Sequence, residues 1–256
     1  MELTWLKVEE WEKNGGPHHG FLGRQGGRSA GTYAGLNVSY EVGDDPAVVK
    51  DNFCDLKKAV GLHERSIVTM KQVHGDRVID VKDKQTKNAG EADGIVTNQP
   101  GVFLGVMTAD CVPLLFSCAE RKVAAAVHAG WRGTAAGIAQ ITLRHLRDRY
   151  AIGPLEVSVA LGPAIGPCCY EIRGDVSIPL VAKWGTLAER CLDSRDGSEY
   201  LDLRRLNRLQ LEISGVSAGR IFDVGPCTRC SPNEFFSYRG QRGKTGHQMS
   251  FIGWPA

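Results

Sequence analysis

Three apolar runs in this chain end on side chains that bind metals: SIVTMKQVH on His74, VFLGVMTADC on Cys111 and KVAAAVH on His128. A ligand at a strand end is held by rigid scaffold yet faces a loop opening, so three converging ends make a catalytic metal site. Zinc in such sites takes three protein ligands and keeps a fourth position for water, whose pKa falls towards neutrality. Two imidazoles and a thiolate suit that chemistry. The spacing alone does not force them together, because the chain has no H-E-x-x-H, in which helical geometry makes two histidines meet. Taken singly, each histidine also fits a surface or hydrogen-bonded role. Asp110 strengthens the case for Cys111, since a carboxylate suits a polar site and jars with an inert buried thiol.

Other patterns compete for the metal. Pro226-Cys227-Thr228-Arg229-Cys230 matches half of the zinc deaminase signature, but the chain has no H-x-E to complete it. Cys227 and Cys230 then read as a loop pair, because two further ligands for a structural metal are not evident. Cys168 and Cys169 follow a strand; adjacent cysteines seldom share one metal, so one is expected in the core and the other facing the site. Anions have candidates too: the strand-to-helix passage HAGWRGT sets backbone N–H groups beside Arg132, and SYRGQRGKTGHQ brings Arg239, Arg242 and Lys244 together. Arg242 and Lys244 read equally as a solvated loop.

The elements that must position these residues are those of a mixed α/β domain. With 256 residues, 42% of them hydrophobic, the chain can bury a substantial core, and no linker divides it, so 1–256 reads as a single domain. An edge strand is expected over 3–11 and a loop or hairpin over 15–35. Helices are expected at 45–61, where Asp45-Pro46 supplies cap and first turn, at 134–150 and at 202–215. Strands are expected at 66–74, 77–82, 102–108, 122–128, 155–161 and 220–224, mostly continuous apolar runs that need cover on both faces. Lys and Arg number 31 against 29 Asp and Glu, with no basic block, which argues against nucleic acid as a partner. The N-terminus lacks a secretory pattern, and the most apolar stretch, 94–109, is interrupted by polar residues and proline, so no membrane span is expected. A soluble cytoplasmic protein follows, with its eight cysteines reduced.

In combination the motifs are far more specific. KQVHGD, ADGIVTN, TADCVPLLF, AAVHAGWRGT, LGPAIGPCCYEI and FFSYRG, in this order, resemble the laccase-domain family, long labelled multicopper polyphenol oxidase and now regarded as zinc-dependent purine nucleoside phosphorylases. The resemblance implies a layered α/β/β/α sandwich of mixed sheets flanked by helices. It implies zinc on His74, Cys111 and His128, with copper the lesser candidate. It implies purine nucleosides and phosphate as partners, with Asn37, Arg132, Cys169, Tyr170 and Arg239 as candidate contacts. The activities implied are phosphorolysis of adenosine, inosine, guanosine and S-methyl-5′-thioadenosine, and deamination of adenosine to inosine, with Asp110 as the candidate acid/base. The chain departs from the family pattern at Phe53, Gly240 and His247, where arginine is frequent.

Three other classes are weighed against this one. A thiol hydrolase or deamidase would have His128 or His74 deprotonate Cys111 rather than share a metal with it. A multicopper oxidase needs many histidines, usually in H-x-H pairs, whereas this chain has seven histidines and no such pair. A non-catalytic nucleotide-binding module would retain purine affinity without turnover.

Overall fold

Continuous apolar strands need cover on both faces, and the chain provides it by stacking two mixed sheets and laying helices outside them. The computed structural model describes residues 3–62 and 67–256. In chain order the strands are β1 Trp5–Leu6, β2 His18–Leu22, β3 Ile67–Lys71, β4 Val78–Asp80, β5 Asn88–Glu91, β6 Gly94–Thr97, β7 Phe103–Thr108, β8 Val112–Cys118, β9 Val123–Ala129, β10 Ser158–Leu161, β11 Glu171–Ile172, β12 Leu192–Arg195, β13 Ser198–Leu201, β14 Ile221–Asp223 and β15 Gln248–Gly253. The α-helices are α1 Glu9–Lys13, α2 Pro46–Ala59, α3 Trp131–Ala136, α4 Ile138–Tyr150, α5 Gly174–Trp184, α6 Thr186–Glu189 and α7 Leu203–Ile213.

One sheet runs β1-β2-β15-β7-β3-β5, a second β14-β10-β8-β9-β6-β4, and a small third β11-β13-β12. Parallel and antiparallel pairs occur in both large sheets: β7 is antiparallel to β15 but parallel to β3, and β6 is antiparallel to β9 but parallel to β4. Alternate residues of each strand feed different cores. From β8, Leu115 joins Leu104, Val106 and Ile252 of the first sheet between the two layers. Its neighbours Leu114 and Phe116 instead pack with Leu143 and Leu146 of α4 and Leu206 and Leu211 of α7. On the opposite outer face, Leu56 of α2 and the following Val60 cover Phe103, Met249 and Phe251. The result is the expected α/β/β/α sandwich.

Several local expectations need correction. Within 3–11 only Trp5–Leu6 is strand; three glutamates in the first turn and Lys13 in the last favour the short helix α1, which buries Trp11. The glycine-rich stretch 15–35 contains β2, paired with β15. Its two histidines mask the strand in the sequence, although His19 is buried with Nε2 accepting from Val8 N–H at 2.8 Å and Nδ1 bonded to the Pro17 carbonyl at 2.8 Å. The helix expected over 134–150 starts earlier and is two helices, because Gly137 takes a left-handed conformation (φ 87°) between α3 and α4. The strand expected over 155–161 is shorter: Ser158–Leu161 form it, and a 3₁₀ turn, Pro154–Glu156, overlaps the start of that range. The first residue of the 66–74 strand lies outside the described residues; Ile67–Lys71 is strand.

Candidate metal centre and cavity

Two passages between the stacked sheets build the site. The chain leaves β3 of the first sheet and reaches β4 of the second through residues 72–77; it leaves β7 of the first and enters β8 of the second through 109–111. His74 and Cys111 therefore lie where the chain steps from one layer to the other. His74 (φ 59°) and Asp110 (φ 96°) hold left-handed backbone that residues with side chains seldom adopt. Cys111 is not the end of a single apolar run, as its sequence suggests: β7 stops at Thr108 and a new strand starts at Val112. His128 comes from inside β9, opposite Pro113, so the entrance of β8 lies beside it. The donor atoms of His74, Cys111 and His128 all fall within 4.8 Å of one another, and the two imidazoles meet edge to face with centroids 4.7 Å apart.

Asp93, which the sequence analysis did not single out, holds this arrangement. It is fully buried between β5 and β6. Its carboxylate accepts from the backbone N–H groups of Val73 (3.2 Å), His74 (3.0 Å) and Gly75 (2.7 Å), fixing the left-handed turn that carries His74. The same carboxylate pairs with His128 Nδ1 at 2.8 Å. That bond leaves His128 Nε2 to face Cys111 and His74, the usual way a carboxylate orients a metal-binding imidazole. Gly130 closes the floor: a Cβ there would lie 3.2 Å from both Cys111 Sγ and His74 Cδ2, so the close packing of the triad calls for glycine. Two nitrogens and a sulfur this close fit one zinc ion, whose ligand atoms lie about 3–4 Å apart.

Without a metal, Cys111 and His128 favour each other's charged forms. Burial works to raise the Cys111 thiol, but His128 and His74 outweigh it and bring it down to about 6. Burial likewise opposes charge on His128, yet Cys111 and Asp93 raise it to about 9.

The triad opens into a cavity of about 640 Å³, of the size that holds a nucleoside. Arg132 and Arg239 stand on its wall with Tyr170, Tyr238 and Lys244. Arg132 lies over the Trp131 ring at 4.4 Å, and Arg239 donates to the Glu171 carbonyl at 2.7 Å. Asp110 also lines the cavity; its carboxylate accepts from Thr228 Oγ1 at 2.6 Å and from Arg239 N–H at 2.7 Å, tying two distant loops to the Cys111 turn. Of the three departures from the family pattern, only His247 reaches the cavity. Burial, with the charges of His128 and His74, lowers it to about 4. Phe53 packs into the core under α2, and Gly240 donates its N–H to Ser237 Oγ.

Two expected contacts lie elsewhere. Asn37 does not line the cavity. It is fully buried, with its amide nitrogen donating to Asp44 at 2.9 Å and its amide oxygen accepting from Ser39 and His247 N–H groups. Cys169 is also off the cavity wall, in a second cluster with Cys168, Cys227 and Cys230, whose sulfurs lie within 4.8 Å of one another. The adjacent pair is thus not divided between core and site. Burial raises Cys169 to about 11; it also opposes ionisation of Cys227, but backbone N–H bonds overcome it and lower that thiol.

Residues 18–255 match the model of a family described as multi-copper polyphenol oxidoreductase laccase. The chain is 39% identical to "Purine nucleoside phosphorylase" of Deinococcus radiodurans, over 93% of this chain and 89% of the relative. It is 36% identical to "Purine nucleoside phosphorylase YlmD" of Geobacillus stearothermophilus, over 91% of this chain and 89% of the relative. The crystal structure of the Bacillus licheniformis hypothetical protein YfiH superposes with a TM-score of 0.90 at 32% identity, covering 98% of this chain and 96% of that one.

Proposed function

The chain belongs to the laccase-domain family, whose relatives at this level of identity bear the name purine nucleoside phosphorylase, and on that premise we propose a zinc-dependent phosphorylase acting on purine nucleosides. The observation that carries this reading is the convergence of His74, Cys111 and His128 at the floor of a nucleoside-sized cavity with Arg132 and Arg239 on its wall. Adenosine, inosine, guanosine and S-methyl-5′-thioadenosine are the proposed substrates, and hydrolytic deamination of adenosine is the proposed second reaction. Residues 1–256 act as one unit in both.

His74, Cys111 and His128 would hold the zinc, which supplies Lewis acidity and lowers the pKa of water bound to it. In phosphorolysis a phosphate oxygen forms a bond to ribose C1′ as the C1′–N9 bond breaks. The electron pair of that bond passes into the purine, which must gain a proton. Arg132 and Arg239 bring the charge that a phosphate requires, and Tyr170 and Tyr238 offer ring surface to the base. Asp110 is the proposed acid/base; its two hydrogen bonds leave part of its acceptor capacity facing the cavity. His247, kept neutral by its surroundings, adds polarity there without charge. In deamination, water adds to C6 of adenine and ammonia departs, with Asp110 moving the protons.

The experiment is chromatography of adenosine incubated with zinc-loaded protein, with and without phosphate. Adenine and ribose 1-phosphate should form only with phosphate, and inosine in either case. Unchanged adenosine under both conditions would overturn the proposal.

One observation favours a second reading. Cys111 Sγ and a ring nitrogen of His128 lie within 4.8 Å of each other, the pairing a thiol hydrolase needs. Metal content separates the two, since a zinc-bound thiolate is a poor nucleophile. Strict loss of activity on chelation, restored by zinc, supports the phosphorylase; activity unaffected by chelation supports the hydrolase. A multicopper oxidase is disfavoured by the donor sets: among the described residues, only the triad and the four-cysteine cluster bring three or more such side chains together.

A further inference from the structure

The four cysteines outside the cavity come from two turns far apart in sequence. One follows β10 and runs from Gly166, whose carbonyl accepts the N–H groups of Cys169 (2.9 Å) and Tyr170 (3.0 Å). The other follows β14 and is closed by the Ser231 N–H donating to the Cys227 carbonyl at 3.2 Å. A parallel bridge between Ala164 and Cys227, with Thr228 N–H donating to the Ala164 carbonyl at 3.1 Å, sets the two turns side by side. Cys230 Sγ then sits between the adjacent pair, 3.6 Å from Cys168 Sγ and 3.4 Å from Cys169 Sγ. Sulfurs at the corners of a tetrahedron with zinc–sulfur bonds of about 2.3 Å are about 3.8 Å apart. The observed separations are close to that figure and far from the roughly 2.05 Å of a disulfide.

Two further features belong to a metal-binding turn. Cys227 Sγ accepts the Gly166 N–H at 3.1 Å, the kind of donor that stabilises a ligating thiolate. Gly166 itself leaves room for the sulfurs, since a Cβ there would stand 3.3 Å from Cys168 Sγ and 3.5 Å from Cys227 Sγ. Four soft donors select a thiophilic divalent cation, and a full set of four leaves no position for water.

We propose that Cys168, Cys169, Cys227 and Cys230 bind a second, structural zinc ion that clamps the 166–170 turn to the 227–230 turn. Both turns reach the cavity. Tyr170, next to Cys169, lines it, and Thr228, next to Cys227, donates to Asp110 beside Cys111. The clamp therefore positions part of the cavity wall without touching the reacting atoms.

The test uses reduced full-length protein and its Cys111→Ala variant, which removes a ligand of the cavity triad and leaves the four-cysteine cluster whole. Metal analysis should find two zinc ions per wild-type chain and one in Cys111→Ala. Titrating Co(II) into metal-free Cys111→Ala should give one equivalent with the intense charge-transfer bands of a tetrathiolate, lost when Cys227→Ser and Cys230→Ser are added. X-ray absorption of zinc-loaded Cys111→Ala should show sulfur ligands alone, which keeps the proposal testable if the triple variant does not fold. No zinc in Cys111→Ala, nitrogen in its ligand shell, or cobalt bands that survive the serine substitutions would overturn it. So would thiol titration showing four of the seven remaining cysteines oxidised in pairs. One zinc in both proteins would sink the cavity metal but uphold this one; one in the wild type and none in the variant would do the reverse.

Discussion

The two clusters of metal-binding side chains in this molecule differ in how they are finished. The triad mixes nitrogen and sulfur, has a buried carboxylate behind it and faces a cavity of about 640 Å³. The four-cysteine cluster is all sulfur, has backbone N–H groups behind it and lies off the cavity wall, with Cys168 and Cys230 exposed. Three ligands and an opening suit a metal that meets substrate; four ligands and no opening suit one that holds two loops together. The surroundings sharpen the contrast. Asp93 orients both the His128 ring and the His74 turn, so one carboxylate sets two of three ligands. The cysteine cluster relies on turn geometry, and it meets the cavity at Tyr170 on the wall and at the Thr228–Asp110 hydrogen bond.

That contrast breaks most plainly at Cys111. Cys111→Ala should lower kcat/KM for adenosine phosphorolysis by about a thousandfold or more and remove deamination as well. Wild-type phosphorolysis in that variant would end the case for a shared metal. Asp93→Asn should cost about 10–100-fold in affinity for the cavity zinc, read by competition with a chromophoric chelator, because Asn is uncharged and cannot satisfy all four donors. Unchanged affinity would remove Asp93 from its positioning role. In Gly130→Ala the added methyl crowds Cys111 and His74, and a roughly tenfold loss of zinc affinity with little change in thermal stability is expected. Cys230→Ser should lower the melting temperature and raise the KM for adenosine about threefold while kcat stays within about twofold, since it loosens Tyr170 rather than the reacting groups. A kcat collapse there would make the two clusters one functional unit.

The smallest effect concerns His247. Its folded pKa of about 4 lies below its ordinary value of 6.5, so the folded state binds the proton less readily than the unfolded chain. Its stability contribution is full above pH 6.5 and falls as the pH drops towards 4. Between pH 7 and pH 5 the loss should be on the order of 2 kcal/mol, and His247→Gln should flatten that part of the profile in urea unfolding. Parallel profiles for the two proteins would remove His247 as the source.

Much of the fold is legible from pattern. The helix at 46–59 announces itself through Asp45, whose side chain accepts the Ala47 N–H at 2.8 Å, and through the proline after it. β7 and β9 are apolar runs bounded by turns, as expected of strands covered on both faces. β2 and β15 escape notice because His18, His19, Gln248 and Ser250 interrupt them, and only the hydrogen bonds of the packed sheet make those polar side chains acceptable inside it. The break at Gly137 is hidden because glycine within a helical pattern can either continue the helix or, as here, turn left-handed between two.

The sequence by itself determined the inventory: His74, Cys111 and His128 closing apolar runs of sequence, a C-x-x-C and a C-C far apart, arginines among glycines, and the ordered motifs that resemble one family. Which of these residues meet was decided only in three dimensions. Periodicity reports the face of an element on which a residue lies, but not which elements become neighbours, and both clusters join segments separated by long stretches of chain. Cys168 and Cys169 look divided between core and site until the bridge between Ala164 and Cys227 places both against Cys230. Asp93 looks like an ordinary loop acid until the stacking of two sheets buries it, and a buried carboxylate must find donors; it finds three backbone N–H groups and the ring of His128.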